Sequence, residues 1–276
     1  MSKEKKSLIV FYSVTLVVSL VLEIIYCTNK IESLMGAIMW TPGIVGIICA
    51  RVFYGKEKTL GILQKFKPIY LLLGILIPAA YLIPSYLITW AITKPDIDFE
   101  SELMLRTGNL GTMMPPVIAF ILFFFLMFLV SFVSCTGEEI GWRGFAYPKL
   151  EEIYGPKKAV LINGFIWAIW HVPMIIGGAY QAVVNPVYGV ISFIILVMII
   201  SIFFCWSRSV TGSVIPAIIL HTAHNEIDQV YLKSMSHQES IPYFAGEQGF
   251  VTIICAALIA AIVIWSWKKH KKVKPV

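Results

Sequence analysis

The stretch VIAFILFFFLMFLVSFVSCTGEEIGWRGF, residues 117–145, opens with a run from Val117 to Val133 that carries no charge. Two adjacent glutamates, Glu138 and Glu139, and an arginine, Arg143, follow at the end of that run. A segment this long and apolar suits a helix across the ~30 Å hydrocarbon core of a bilayer. A solvated loop would be the simplest account of the charges at its edge. The rest of the chain makes that account hard to keep.

Of 276 residues, 58% are hydrophobic and 14% charged, with mean hydropathy +0.80. Soluble domains hold about 45–50% apolar and about 25% charged residues. Too little polar surface exists here to cover a soluble globule. Eight apolar runs can be read, at about 8–27, 35–53, 69–93, 116–136, 158–176, 187–206, 212–229 and 249–267. Their lengths indicate helices rather than the short alternating strands of a barrel. The fold expected is all-α: a polytopic bundle of about eight transmembrane helices, forming one integral-membrane domain over 1–276 with a catalytic core at about 116–230.

Lys and Arg set the expected orientation. With the amino terminus inside, 18 of the 22 basic residues fall in inner segments, and Lys30, Lys94, Arg106 and Lys233 fall outside. Asp96, Asp98, Glu100 and Glu102 join the outer loop 94–106. Both termini are therefore expected to be cytoplasmic, with the positive charge lying against anionic lipid headgroups rather than nucleic acid. The basic start and first apolar run lack a small-residue cleavage site, so the run reads as a retained helix. The cysteines (Cys27, Cys49, Cys135, Cys205, Cys255) are scattered, with no CxxC pair to suggest a metal or redox site. Proline marks ends at Pro115-Pro116 and Pro148, and bends at Pro78 and Pro84 within the third span.

Ionisable residues at membrane depth cost roughly 2.5–3.5 kcal/mol each on insertion and point to function. Here they are Glu23, Glu138, Glu139, Arg143, His171, His221 and His224, with Asn225 beside the last. If Pro148 ends the fourth helix, Glu138 lies about 15 Å from that end at 1.5 Å per residue. His171 lies about 20 Å in from Lys158, and His221 about 20 Å in from Arg208. Three helices then bring polar groups to a common depth. Glu139 and Arg143 are spaced i,i+4 and can pair, while Glu138 points about 100° away. Trp167 and His171, and His221 and Asn225, share the same spacing. Glu23 is expected near the outer interface, Glu226 and Asp228 near the outer mouth, and His224 as a hydrogen-bonding neighbour.

A carboxylate assisted by an imidazole can take a proton from water and make the nucleophile for a carbonyl. A second imidazole and an amide suit the oxyanion that forms. In order and spacing, Glu138-Glu139-x-x-x-Arg143, Trp167-x-x-x-His171 and His221-x-x-x-Asn225 resemble the CAAX-protease and bacteriocin-processing (CPBP, or Abi) intramembrane proteases, which include the Ras-converting CAAX endopeptidases. The likeness covers about 116–230. One departure is Trp167, where phenylalanine is commoner in that family.

The resemblance implies an intramembrane glutamate endopeptidase, a class long called metalloproteases. Glu138 with His171 would activate water, His221 and Asn225 would stabilise the oxyanion, and Glu139 and Arg143 would organise the site, with Trp167 and His224 in support. No cofactor is expected; were zinc held, its ligands would be Glu138, His171 and His221. The implied partners are the lipid bilayer, in a multi-pass bacterial plasma-membrane protein, and a peptide or lipidated-protein substrate. Pheromone, bacteriocin or surface-protein processing all remain open. So does a catalytically silent scaffold or bacteriocin-immunity protein that acts by binding.

Overall fold

The computed structural model describes residues 1–55, 59–97, 114–181, 185–235 and 238–273. Lys56, Lys58, Asp98, Glu100, Glu102, Arg106 and Lys274, all used in the charge argument, lie outside the described residues. Every regular element described is helical: α1 (Lys3–Asn29), α2 (Leu34–Tyr54), α3 (Ile69–Thr93), α4 (Pro116–Glu139), α5 (Tyr147–Ile176), α6 (Pro186–Thr211), α7 (Ile215–Asn225), α8 (Ile241–Phe244) and α9 (Phe250–Val273). Two π-helical segments follow α4 and α7, at Ile140–Ala146 and Glu226–Leu232.

The molecule is a polytopic helical bundle. Each of the eight apolar runs coincides with helix, although six helices among the described residues are long and apolar enough to cross a membrane. The difference has two causes. The fourth and fifth runs lie on one continuous helical stretch, Val117–Ile176, and α7 with its π extension is too polar to qualify. Apolar side chains face outward along the bundle, as at Val117 (69% exposed) and Phe125 (63% exposed). That is the pattern of a surface solvated by lipid tails rather than water.

Pro148 does not end the fourth helix. The chain passes through the π segment into α5, and the break falls at Gly155, whose backbone is non-helical (φ 73°, ψ 164°). Pro148 is tolerated because the Arg143 carbonyl, which its missing N–H would have met in the π register, accepts from Arg208 instead. Only glycine enters such a backbone region without steric penalty.

The wider π turn loosens the carbonyls of residues 142–145, and side chains from three directions take them up. Asn163 Nδ2 donates to the Trp142 carbonyl (3.1 Å), Arg208 Nε to that of Arg143 (3.1 Å) and Lys149 Nζ to that of Phe145 (3.3 Å). Arg143 and Lys149, assigned from sequence to an inner loop, are thus buried inside the protein. The basic excess in inner segments falls by two residues and keeps its sign.

Small residues let this segment press against α2. A Cβ on Gly137 would lie 2.7 Å from the Trp40 Cα, and one on Gly141 would lie 2.5 Å from the Pro42 carbonyl. Close backbone approach through glycine is the usual means of helix association in lipid, where no hydrophobic drive exists between helices. The helices α1 and α2, α5 and α6, α3 and α7, and α6 and α9 pack as neighbours around this centre.

Candidate active site

The polar centre is assembled from α4, its π extension, α5 and α7. Glu138, Glu139 and Arg143 are at most 2% exposed. Arg143 Nη1 donates to Glu139 Oε1 at 3.0 Å, so the i,i+4 pairing read from sequence is formed. The same oxygen accepts from His221 Nδ1 at 3.0 Å. Arg143 Nη2 lies 3.4 Å from Ser201 Oγ, and its guanidinium stacks 4.0 Å above the Trp167 ring and 4.4 Å above Phe204. A buried charge pair of this kind holds its place through such extra contacts.

Glu138 faces elsewhere, as the helical spacing requires. Its Oε2 accepts from Trp167 Nε1 at 2.9 Å. His171 Nδ1 donates to the Trp167 carbonyl at 2.8 Å, which leaves Nε2 with its lone pair directed away from the helix. His221 spends Nδ1–H on Glu139, an acceptor-only carboxylate, and keeps Nε2 for other work. Asn225 Nδ2 points to Cys135 Sγ at 3.5 Å, a weak acceptor that a better one could displace. Glu138, His171, His221 and Asn225, the four residues to which the family resemblance gives catalytic roles, all line one cavity of about 190 Å³.

Trp167 does more than pack between helices, the role expected of the tryptophans here. It donates its indole proton to Glu138 and its carbonyl fixes the tautomer of His171. Tryptophan in place of the commoner phenylalanine therefore adds a donor at Glu138. Among the described residues no group of three His, Cys, Asp or Glu side chains is placed to hold a metal ion.

His224 belongs to a second polar cluster. Tyr81 Oη donates to its Nδ1 at 2.5 Å, and its Nε2 donates to Glu247 Oε1 at 3.0 Å. Glu247 also accepts from Tyr180, Gln181 and Gln229. Burial acts to raise the Glu247 carboxyl, but the donors around it, His224 foremost, hold it below the ordinary carboxylate range. Asp228 and Glu226, expected at the outer mouth, are buried as well: Asp228 accepts from Tyr86 at 2.9 Å and Glu226 accepts from Ser131. Glu23, expected near the outer interface, is 2% exposed and lines the same cavity as Glu138 and His171.

Sequence spacing did not reveal Ser201, Phe204, Tyr180 or Glu247. They come from other elements and carry no motif; the one available signal was that Glu247 is an acidic residue immediately before an apolar span.

Comparison with known proteins agrees with this geometry. Residues 120–227 match a family model described as type II CAAX prenyl endopeptidase Rce1-like. A CAAX prenyl protease 2 from Methanococcus maripaludis is 29% identical over 131 residues, 46% of this chain and 46% of that protein. The chain thus spans about half the length of the curated relative it matches. The matched segment contains every motif residue from Glu138 to Asn225, and over it the chain is similar to CAAX-type prenyl endopeptidases.

Proposed function

We propose that the protein is an intramembrane endopeptidase that hydrolyses a peptide bond with water activated by Glu138 and His171. The observation that carries this reading is the convergence of Glu138, His171, His221 and Asn225, from three helices, on one cavity. Glu138 is anchored through Oε2 by Trp167, and no other hydrogen bond to it occurs among the described residues. Its free oxygen and His171 Nε2 are the two basic atoms available to take a proton from water.

The water oxygen then bonds to the carbonyl carbon, and the carbonyl oxygen becomes an oxyanion. His221 Nε2–H and the Asn225 amide are the donors for it, with Glu139 balancing the imidazolium that donation by His221 requires. Collapse breaks the C–N bond, and the proton held by Glu138 or His171 passes to the departing amine. Arg143 acts through Glu139, which it holds in place. All bond changes are met by the chain and water alone.

The substrate class is a membrane-associated peptide or a lipidated protein segment, cut near the inner leaflet of a plasma membrane in which both termini face the cytoplasm. The excess of Lys and Arg in the inner segments supports that orientation.

Wild type and Glu138→Ala, expressed at equal membrane levels in a null background, should differ in the peptide termini found by mass spectrometry of membranes and medium. Termini present only with the wild type would identify both activity and substrate. Matching profiles, with both forms rescuing the null phenotype, would replace the protease by a scaffold that acts through binding.

A further inference from the structure

Glu23 lies on α1, outside the matched segment 120–227 and away from every motif. It lines the same cavity as Glu138, His171 and His221. It makes no hydrogen bond or ion pair among the described residues, and its Oε1 is fully enclosed. A carboxyl group buried without a partner is unfavourable, and at membrane depth the usual explanation is a ligand or substrate path.

The surroundings narrow what that ligand group can be. No Lys or Arg lines the cavity, although two carboxyl groups do. Arg143 is committed to Glu139, Ser201 and two aromatic rings. Tyr180 and Gln229, two polar donors on the wall, are committed to Glu247. Apart from these, the motif residues and the Trp170 indole, whose neutral N–H has no partner among the described residues, the wall is thioether and aliphatic, with Met35, Ile38, Met39 and Met174. Thioethers adapt to a flexible methylene chain, and long basic side chains lay their stems on apolar surface while the charged head finds a carboxylate.

We propose that Glu23 is a specificity-determining residue, a subsite carboxylate that receives the cationic head of a substrate lysine or arginine whose stem lies against Met35, Met39 and Met174. The inference rests on the protease reading of the cavity and adds a selection rule to it. The apolar wall alone would admit any aliphatic side chain; the buried carboxylate favours the one that brings a charge.

The test uses full-length protein in liposomes and a fluorogenic peptide library in which lysine is scanned past the scissile bond, beside the same library with norleucine. Wild type should favour lysine at one position, and E23Q should lose roughly 10- to 100-fold in kcat/KM on the lysine peptide, the range of one charge-assisted hydrogen bond. The norleucine peptide should change by less than about threefold, and E23D should restore part of the preference. Equal losses on both peptides would make Glu23 a packing residue and overturn the proposal; so would identical profiles for wild type and E23Q.

Should wild type cleave no library member, the hydrolase reading fails first, and Glu23 is then read by labelling. N,N′-dicyclohexylcarbodiimide should modify Glu23, and N,N-dimethyldodecylamine, protonated at neutral pH, should protect it where dodecanol does not. Absence of that difference overturns the cation site on its own.

Discussion

His221 and His224 stand three residues apart on α7 and are both buried, yet they live in opposite chemical circumstances. His224 has both ring nitrogens engaged, one by Tyr81 and the other by Glu247, which is itself held by three further donors. His221 has one nitrogen on Glu139 and the other at the wall of the cavity. A fully satisfied buried network rigidifies its surroundings, whereas a half-satisfied group is available to a ligand. The first histidine is therefore open to a ligand in the cavity, and the second ties α7 to α3 and to the loop before α9.

The contrast can be sharpened first at Arg143. Its removal leaves Glu139 with His221 as its one remaining partner among the described residues, whereas Glu247 would keep three donors without His224. Arg143→Ala should lower unfolding stability in detergent by about 3–5 kcal/mol, the penalty for breaking a buried pair on one side. A loss within experimental error would mean that Glu139 is not charged in the fold.

His221→Ala tests the reactive half. One oxyanion donor is worth about 10²–10³ in rate, so turnover should fall by that factor while the melting temperature stays close to wild type. His224→Ala should do the reverse, lowering stability by about 1–3 kcal/mol as its two partners go unsatisfied, with turnover per folded molecule retained. Equal effects of the two substitutions on rate would erase the distinction.

Acid adds a second reading of the same network. The Glu247 carboxyl is depressed, so its stabilisation is present above the ordinary value of 4.5 and is lost as pH falls through the lowered one. Unfolding stability measured from pH 6 downward should therefore decline below about pH 5, and Glu247→Gln should flatten that decline.

The smallest expected effect lies at Trp167→Phe, which keeps the ring and deletes one hydrogen bond to Glu138. A charge-assisted bond of this kind is worth about 1.5–3 kcal/mol, part of which water in the cavity replaces, so turnover should fall by roughly tenfold or less. A thousandfold fall would show that the indole N–H, rather than the carboxylate, governs the proton transfer.

Much of this was legible in the chain itself. Uninterrupted apolar runs set the bundle, because a helix in lipid must be apolar around most of its circumference. Helical rise converts spacing into distance and set His171 and His221 at similar distances from Lys158 and Arg208, whereas Glu138 was measured from Pro148, which does not end its helix. What stayed hidden follows from the same arithmetic. Spacing along one helix says nothing about which residue of another helix faces it, so Ser201 and Phe204 around Arg143 could not be anticipated. Glu23 was misplaced because its nearness to the end of α1 suggested the interface, whereas burial depends on the helices packed around it. Pro148 misled for a local reason: Arg208, from another helix, takes up the carbonyl that its missing N–H leaves short.

The π turn at Ile140–Ala146 also limits how this gene can change. A single-codon deletion between Glu139 and Arg143 would remove the residue that widens the turn and shift Arg143 from four residues after Glu139 to three. The turn would tighten to α-helix, and the carbonyls taken up by Asn163, Arg208 and Lys149 would move off their donors. Reading frame would survive such a change and the fit of this segment would not, so those seven residues should tolerate substitution better than a change of length.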